Sequence, residues 1–355
     1  MAEPSTAEAI WFGTGPGARL ARSLLLPFEQ VYAGIIALRG AAYDRGVLTS
    51  HDPVLPVLSI GNLSVGGTGK TPIAAWVAGE LLAAGANPAI VLRGYGDDEP
   101  LVHRTLQPDV HVVVAPDRVA GVNDARSRGA DVVVLDDGFQ HRRIRRHADW
   151  VLISADRWTG ERIHVIPAGP WRERLAALQR ASLVVVTRKA AGRGAATEVA
   201  DAVRRHAPAI PVASVHLAPD ALRSLGDGVH RDLASLRGAR VRLVAAVGDP
   251  SALRAQIEAQ GAIVDGHFFP DHHAFTDSEV ARLASGLAAD TVVLCTLKDA
   301  VKIAPRWPRA GPALWYVSQR VIVEDGADHL SRSIRTVLNA RSSVSDATGT
   351  GRSSF

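Results

Sequence analysis

The sequence predicts an α/β protein, with a P-loop NTPase-like domain on a parallel sheet and a second, smaller α/β domain after it. Three observations predict this. Residues 55–71 read LPVLSIGNLSVGGTGKT, an apolar strand-like run, a glycine-rich turn and then Gly69-Lys70-Thr71 opening a helical segment. Short apolar runs at 89–92, 110–115, 131–135 and 150–153 alternate with helical segments, the pattern of a parallel sheet covered on both faces. A second alternating series starts after residue 180, with runs at 183–187 and 241–247 between Gly- and Ala-rich helices.

The first stretch has the order of a phosphate-binding loop. Gly66, Gly67 and Gly69, with Thr68 among them, let the backbone turn its N–H groups toward an anion, and the helix that follows adds the positive end of its dipole. Lys70 is placed to reach the β- and γ-phosphates and the Thr71 hydroxyl to ligate Mg²⁺. One position departs from the usual pattern: Ser64 stands where a glycine is expected. Residues 72–84 then read as the helix of a βα unit, with Pro72 in its first turn and Gly85 near its stop.

At 355 residues, 47% hydrophobic and 21% charged, the chain has the composition of a folded protein with room for two cores. Its organisation reads as an amphipathic N-terminal segment (1–53), a P-loop domain (54–180), a C-terminal α/β domain (181–339) and a Ser-, Gly- and Thr-rich disordered tail (340–355). The single cysteine, Cys295, excludes a disulfide framework and a multi-cysteine metal site, as expected of a reducing cytoplasmic setting. A net charge of +4 favours anionic partners; with 5% aromatics and no nucleic-acid module, nucleotide phosphates and anionic lipid rank above DNA or RNA. No run reaches the roughly 20 uninterrupted apolar residues of a spanning helix, and none resembles a cleaved signal. Residues 20–38 nonetheless carry Leu24, Leu25, Leu26, Phe28, Val31, Tyr32, Ile35 and Ile36 at helical spacing between arginines, with Pro27 placed to kink or divide the helix. Two readings stay open for that face: packing on its own domain, or docking on a bilayer.

The strand ends carry the chemistry, since ligands of open α/β sheets collect beyond the carboxyl ends of the strands. After residue 92 comes Arg93-Gly94-Tyr95-Gly96 and then the acids Asp97, Asp98 and Glu99, on a loop where a carboxylate could take a proton from an attacking hydroxyl. The run at 131–135 ends in Asp136-Asp137-Gly138, which places an acid opposite Thr71 to hold Mg²⁺ directly or through water. Asp136 is the choice for that contact and Asp137 for an orienting partner. Arg142, Arg143, Arg145 and Arg146 follow, either as an anion-facing cluster or as a solvated turn. In the second half, Asp271-His272-His273 suits proton handling better than metal, because adjacent histidines do not easily face one ion.

In order along the chain, GNLSVGGTGKTP, RGYG, DEP, LDDGFQH, PAGPWRE, FFPDHH and TLKDAVK closely resemble the tetraacyldisaccharide 4'-kinase family of lipid A biosynthesis. The family's loop pattern accommodates Ser64. The resemblance implies two α/β domains with the active site in the cleft between them, and an N-terminal helix involved in membrane contact. It implies transfer of the γ-phosphoryl group of ATP, with Mg²⁺, to the 4'-hydroxyl of a lipid A disaccharide 1-phosphate at the cytoplasmic face of the inner membrane. It matches Asp98 and His272 to residues that activate the sugar hydroxyl, Lys70 and Thr71 to nucleotide and Mg²⁺ residues, and Asp136 and Asp137 to the strand-end acids. Arg118, Arg172 and Glu173 fall at polar substrate-site or cleft positions. Three departures stand out: a segment the family places between Gly96 and Asp98 is missing, Leu297 replaces a common glutamate, and Leu92 replaces a common serine.

Because Asp98 and His272 belong to different halves, the chemistry requires the halves to meet, with water excluded as they close. A nucleotide-driven switch or metal-insertion chaperone is the competing class. It needs Cys or His clusters that the sequence does not supply.

Overall fold

The computed structural model describes residues 6–349 apart from 95, 162, 226, 227 and 249, with side chains only as far as 341. Two N-terminal helices, α1 (Thr6–Phe12) and α2 (Pro16–Asp44), precede the phosphate-loop unit of β1 (Val57–Asn62) and α3 (Lys70–Ala83). Then come β2 (Pro88–Leu92), α4 (Asp98–Leu106), β3 (His111–Val114), α5 (Arg118–Ser127), β4 (Val132–Asp136) and β5 (Ala148–Ser154). The chain continues through β6 (Leu183–Arg188), α6 (Arg193–His206), β7 (Val212–Arg223), β8 (His230–Asp232) and β9 (Arg240–Ala245). It closes with α7 (Pro250–Glu258), β10 (Ile263–Phe268), α8 (Asp277–Ala284), β11 (Val292–Thr296), α9 (Leu297–Ile303), β12 (Leu314–Asp325) and α10 (Ala327–Gly349).

One sheet runs through both halves in the order β10-β9-β11-β12-β7-β6-β5-β1-β4-β2-β3, with β8 paired beside β7. Every path pairing is parallel except β12 with β7, so two parallel half-sheets meet at one antiparallel seam. The central strands β1, β2, β4 and β5 are buried along their whole length, which is why they read as continuous apolar runs rather than alternating ones. Strand β6, just past the boundary read at 180, pairs with β5 of the first half. Helix α10 returns to the first half: Leu330 and Val337 join the core of Leu58, Val134 and Trp150, and the Trp150 Nε1–H donates to Ser333 Oγ at 2.7 Å. The polar stretch read as a disordered tail at 340–355 therefore begins inside a helix that runs to Gly349, while 350–355 lie outside the described residues.

Two local expectations are corrected. Pro27 does not divide α2, which stays helical from Pro16 to Asp44 and forgoes the one backbone donor proline lacks. Asp98 and Glu99 are not on a loop but form the first turn of α4, where carboxylates face the positive end of the helix dipole. Among the described residues no helix is long and apolar enough to cross a membrane.

Candidate active site

The loop after β1 adopts a shape only glycine tolerates at two points: Gly66 has φ +92° and Gly69 φ +86°. Gly69 is the N-cap of α3 and offers no side chain to its first turn, so those N–H groups are left for an anion. The loop is tied down by Asn62 Nδ2–H to Thr68 Oγ1 at 2.9 Å, by Thr187 Oγ1–H to the Thr68 carbonyl at 2.9 Å and by Lys189 Nζ to the Gly67 carbonyl at 3.1 Å. Thr187 lies on β6 and Lys189 just beyond it, so the neighbouring strand fixes the loop's path.

Facing the loop are the acids that end β4. Asp136 is 4% exposed; its Oδ2 lies 2.9 Å from Nε2 of the fully buried His103, while its buried Oδ1 has no hydrogen-bond partner among the described residues. Asp137 sits at φ +56° and holds Lys70 at 3.5 Å and Arg172 at 3.2 Å. Burial alone would raise the Asp137 pKa, but Lys70 and Arg172 outweigh it and keep the carboxylate below its usual range. One open carboxylate oxygen, a second carboxylate beside the loop lysine, and the Thr71 hydroxyl make a sparse donor set. Among the described residues no group of three or more His, Cys, Asp or Glu could hold a metal. That set fits Mg²⁺, which keeps several waters and takes the rest of its octahedron from phosphates, and does not fit a structural metal cage.

Across the cleft, the first turn of α4 meets the loop after β10. Asp98, 3% exposed, lies 3.3 Å through Oδ1 from His272 Nδ1. Burial opposes the Asp98 charge, yet the His272 hydrogen bond with Lys298 and Lys302 holds its pKa below the usual range. The same bond raises the His272 pKa against its own burial. Glu99, next along the chain, is pushed up by burial and by Asp136. Gly96 gives the pair room, since a Cβ there would come within 2.7 Å of Asp98 Oδ1 and 3.0 Å of His272 Nδ1. His273 turns away, bonding Glu279 at 3.1 Å and stacking on Phe269, so the two imidazoles face different partners.

A cleft of about 1000 Å³ joins these parts. Residues 65–72, Asp136, Asp137, Arg172, His272 and Lys298 line it, with Trp76, Leu253 and Val317 among its apolar lining. Its two walls are in contact: a Cβ on Gly248, from the second half, would stand 3.2 Å from the Gly67 nitrogen.

Not all residues singled out in the sequence reach this cleft. Arg118 is 2% exposed and donates to the Ala115 and Asp136 carbonyls at 2.9 and 3.3 Å, bracing the strand end from behind. Glu173 is 8% exposed and engaged by Arg180 at 2.9 Å and Gln140 at 3.1 Å. The arginine run is ion-paired, Arg142 with Asp44, Arg143 with Asp117, Arg145 with Asp52 and Arg146 with Asp149. Three site residues carried no assignment in the sequence: His103 behind Asp136, and Lys298 and Lys302 of α9, whose ammonium groups lie 3.9 and 3.7 Å from Asp98 Oδ2. Lysines four apart directly after a strand end were the available signal for the last two.

A nucleotide loop, a Mg²⁺-compatible acid at the next strand end and a carboxylate–imidazole pair opposite define the class: a P-loop phosphotransferase acting on a hydroxyl. The family model for tetraacyldisaccharide-1-P 4'-kinase matches residues 21–104 and 96–339. The chain is 37% identical to a tetraacyldisaccharide 4'-kinase of Anaeromyxobacter sp. (strain Fw109-5), covering 94% of this chain and 97% of that one. It is 36% identical to the enzyme of that name from Halorhodospira halophila, over 87% and 90% of the two chains. Among solved structures it is similar to LpxK from Aquifex aeolicus in complex with ATP, with TM-score 0.69, 26% identity and coverage of 89% and 99%. The chain belongs to the tetraacyldisaccharide-1-phosphate 4'-kinase family.

Proposed function

We propose that the protein transfers the γ-phosphoryl group of ATP to the 4'-hydroxyl of a tetraacyldisaccharide 1-phosphate, the kinase step of lipid A biosynthesis. The observation that carries the mechanism is the 3.3 Å approach of Asp98 to His272 opposite the phosphate loop, between residues from different halves of the chain. Lys70 and the N–H groups of the loop and of the first turn of α3 hold the β- and γ-phosphates and neutralise charge that builds up during transfer. Thr71 and Asp136 would hold Mg²⁺, with Asp137 orienting Lys70; when bound, the ion would supply positive charge to offset that of the phosphates. The Asp98–His272 pair takes the proton of the 4'-hydroxyl as its oxygen bonds to phosphorus and ADP leaves. Arg172, held by Asp137 at the cleft wall, is the residue nearest to hand for an anionic part of either substrate. Arg118 and Glu173 support the site from behind.

The N-terminal helix supplies the lipid contact. On α2, Leu20, Leu24, Phe28, Val31, Ile35 and Leu38 are each between 58% and 73% exposed, whereas Tyr32 and Ala33 pack on the body of the protein. A row of exposed apolar side chains on one helix, flanked by Arg19, Arg22 and Arg39, suits the interface of an anionic bilayer. The protein thus works peripherally at the cytoplasmic face of the inner membrane.

Incubation with γ-labelled ATP, Mg²⁺ and a tetraacyldisaccharide 1-phosphate in mixed micelles tests the reading. Label in the lipid is the expected result. Release of phosphate with no labelled lipid would instead mark a nucleotide-driven switch.

A further inference from the structure

Lys298, in the second half, is placed to control the state of His272. Its Nζ is 3.0 Å from His272 Nε2 and 3.1 Å from Asp271 Oδ1, and the same Asp271 Oδ1 accepts the His272 backbone N–H at 3.0 Å. His272 sits at φ +60°, a left-handed conformation that a residue with a side chain keeps only when its surroundings hold it. Lys298 thus grips both the imidazole and the carboxylate that fixes its backbone.

An ammonium has three donors and no lone pair, so the ring nitrogen it meets must be the acceptor. Nε2 then carries the lone pair and Nδ1 the proton, which points along the 3.3 Å contact to Asp98 Oδ1. His272 and Lys298 both line the cleft. Asp98 stands behind them, its Oδ2 buried and without a hydrogen-bond partner among the described residues.

We propose that Lys298 is a positioning residue for the phosphoryl-transfer step, fixing His272 as the Nδ1–H tautomer with its Nε2 lone pair on the cleft side and Asp98 as the carboxylate that orients the ring. This rests on the kinase reading above and adds the order of the relay: the hydroxyl takes the place of the Lys298 ammonium on the single Nε2 lone pair, its proton passes to Nε2 while Lys298 stays on Asp271, and Asp98 stabilises the imidazolium without itself being protonated. Among the described residues, the charges that act on His272 include Asp98 and Glu99 on α4, Asp271 on its own turn and Lys298 on α9, with Lys302 beside Asp98. The positive charge of Lys298 opposes protonation of the ring, so removing it favours imidazolium.

The wild-type enzyme gives the first test. With ¹⁵N-labelled histidine, and the His272 signals identified by their loss in His272→Gln, Nε2 is expected at the unprotonated shift and Nδ1 at the protonated one at a pH where the ring is neutral; the reverse assignment overturns the proposal. Kinetics give the second, with ATP, Mg²⁺ and the micellar disaccharide 1-phosphate. Lys298→Met is expected to lower kcat by about 10–100-fold with KM for ATP little changed, and to move the acid limb of the kcat/KM profile to higher pH. Lys298→Arg, a donor-only cation, should recover most of the rate and the original limb. A raised KM for ATP with kcat intact would make Lys298 a phosphate contact, and an unmoved limb would make it a bystander; either result overturns the proposal. Asp98→Asn run alongside separates the two levels, because full activity there would remove the pair itself, whereas its loss beside a wild-type-like Lys298→Met would remove only the lysine's role.

Discussion

The cleft wall we assign to phosphate binding comes from residues 57–71 and the adjacent strand ends, whereas the opposite side gathers His272 and Lys298 at the cleft, with Asp98 and Lys302 behind them, from three elements: α4, the loop after β10, and α9. The first is made mainly of backbone: glycines in left-handed conformations, N–H groups at a helix start, and carbonyls tied to Thr187 and Lys189. The second is made of side chains whose charges depend on one another, as the opposed pKa shifts of Asp98 and His272 record. A binding wall can be preformed and left alone, but a proton-handling wall has to be assembled by the fold and stays sensitive to every charge around it. Perturbing the first should therefore damage nucleotide use, and perturbing the second should damage turnover.

The loop lysine separates the two walls most cleanly. Lys70→Ala should lower kcat/KM for ATP by about 10²–10³-fold or more, measured by lipid phosphorylation over a range of ATP concentrations, with the circular dichroism spectrum unchanged. Next, Asp98→Ala or His272→Ala should each cut kcat by about 10²–10⁴-fold while nucleotide affinity, read by titration calorimetry, holds. Loss of ATP binding in either variant would place those residues on the wrong wall.

A pH profile sharpens the contrast. His272 must be neutral to accept a proton, and its bond to Asp98 favours the charged form, so the acid limb of kcat/KM should lie above the ordinary histidine value of 6.5. A limb at or below that value would contradict the pairing. A smaller effect is expected behind the first wall. His103→Ala removes the buried partner of Asp136 Oδ2 and should cost about 1–3 kcal/mol of stability, seen as a lower Tm, together with a higher Mg²⁺ requirement. Finally, Leu24→Ser with Phe28→Ser and Val31→Ser should weaken co-sedimentation with anionic vesicles and leave Tm unchanged, since these side chains are exposed and pack on neither wall.

The same contrast explains what could be read in advance. The phosphate loop, the strand-end Asp136 and the apolar strands β1, β2, β4 and β5 are local patterns, and their chemistry follows from residue type and spacing. Asp98 and His272 could be joined only through resemblance to a family, because their contact spans 174 positions and no local pattern encodes it. His103 and Lys298 had no signal strong enough: one is a buried histidine in an ordinary amphipathic helix, the other a lysine among forty basic residues. Nor does local pattern show the seam at β7 and β12. Each strand there belongs to a half-sheet of its own, and only their antiparallel pairing makes one sheet of the two series. Pro27 and residues 340–349 went the other way, as local breaker and low-complexity signals that lie within helices.

The central claim is that residues from the two halves act as one catalytic unit on the acceptor hydroxyl. A double-variant cycle of Asp98→Asn and His272→Gln, with kcat for phosphorylation of the disaccharide 1-phosphate and Kd for ATP measured on all four proteins, tests it most directly. The account predicts that the double variant is hardly slower than the worse single variant and that all four bind ATP alike. Losses that multiply independently, or ATP binding that falls in step with turnover, would contradict it.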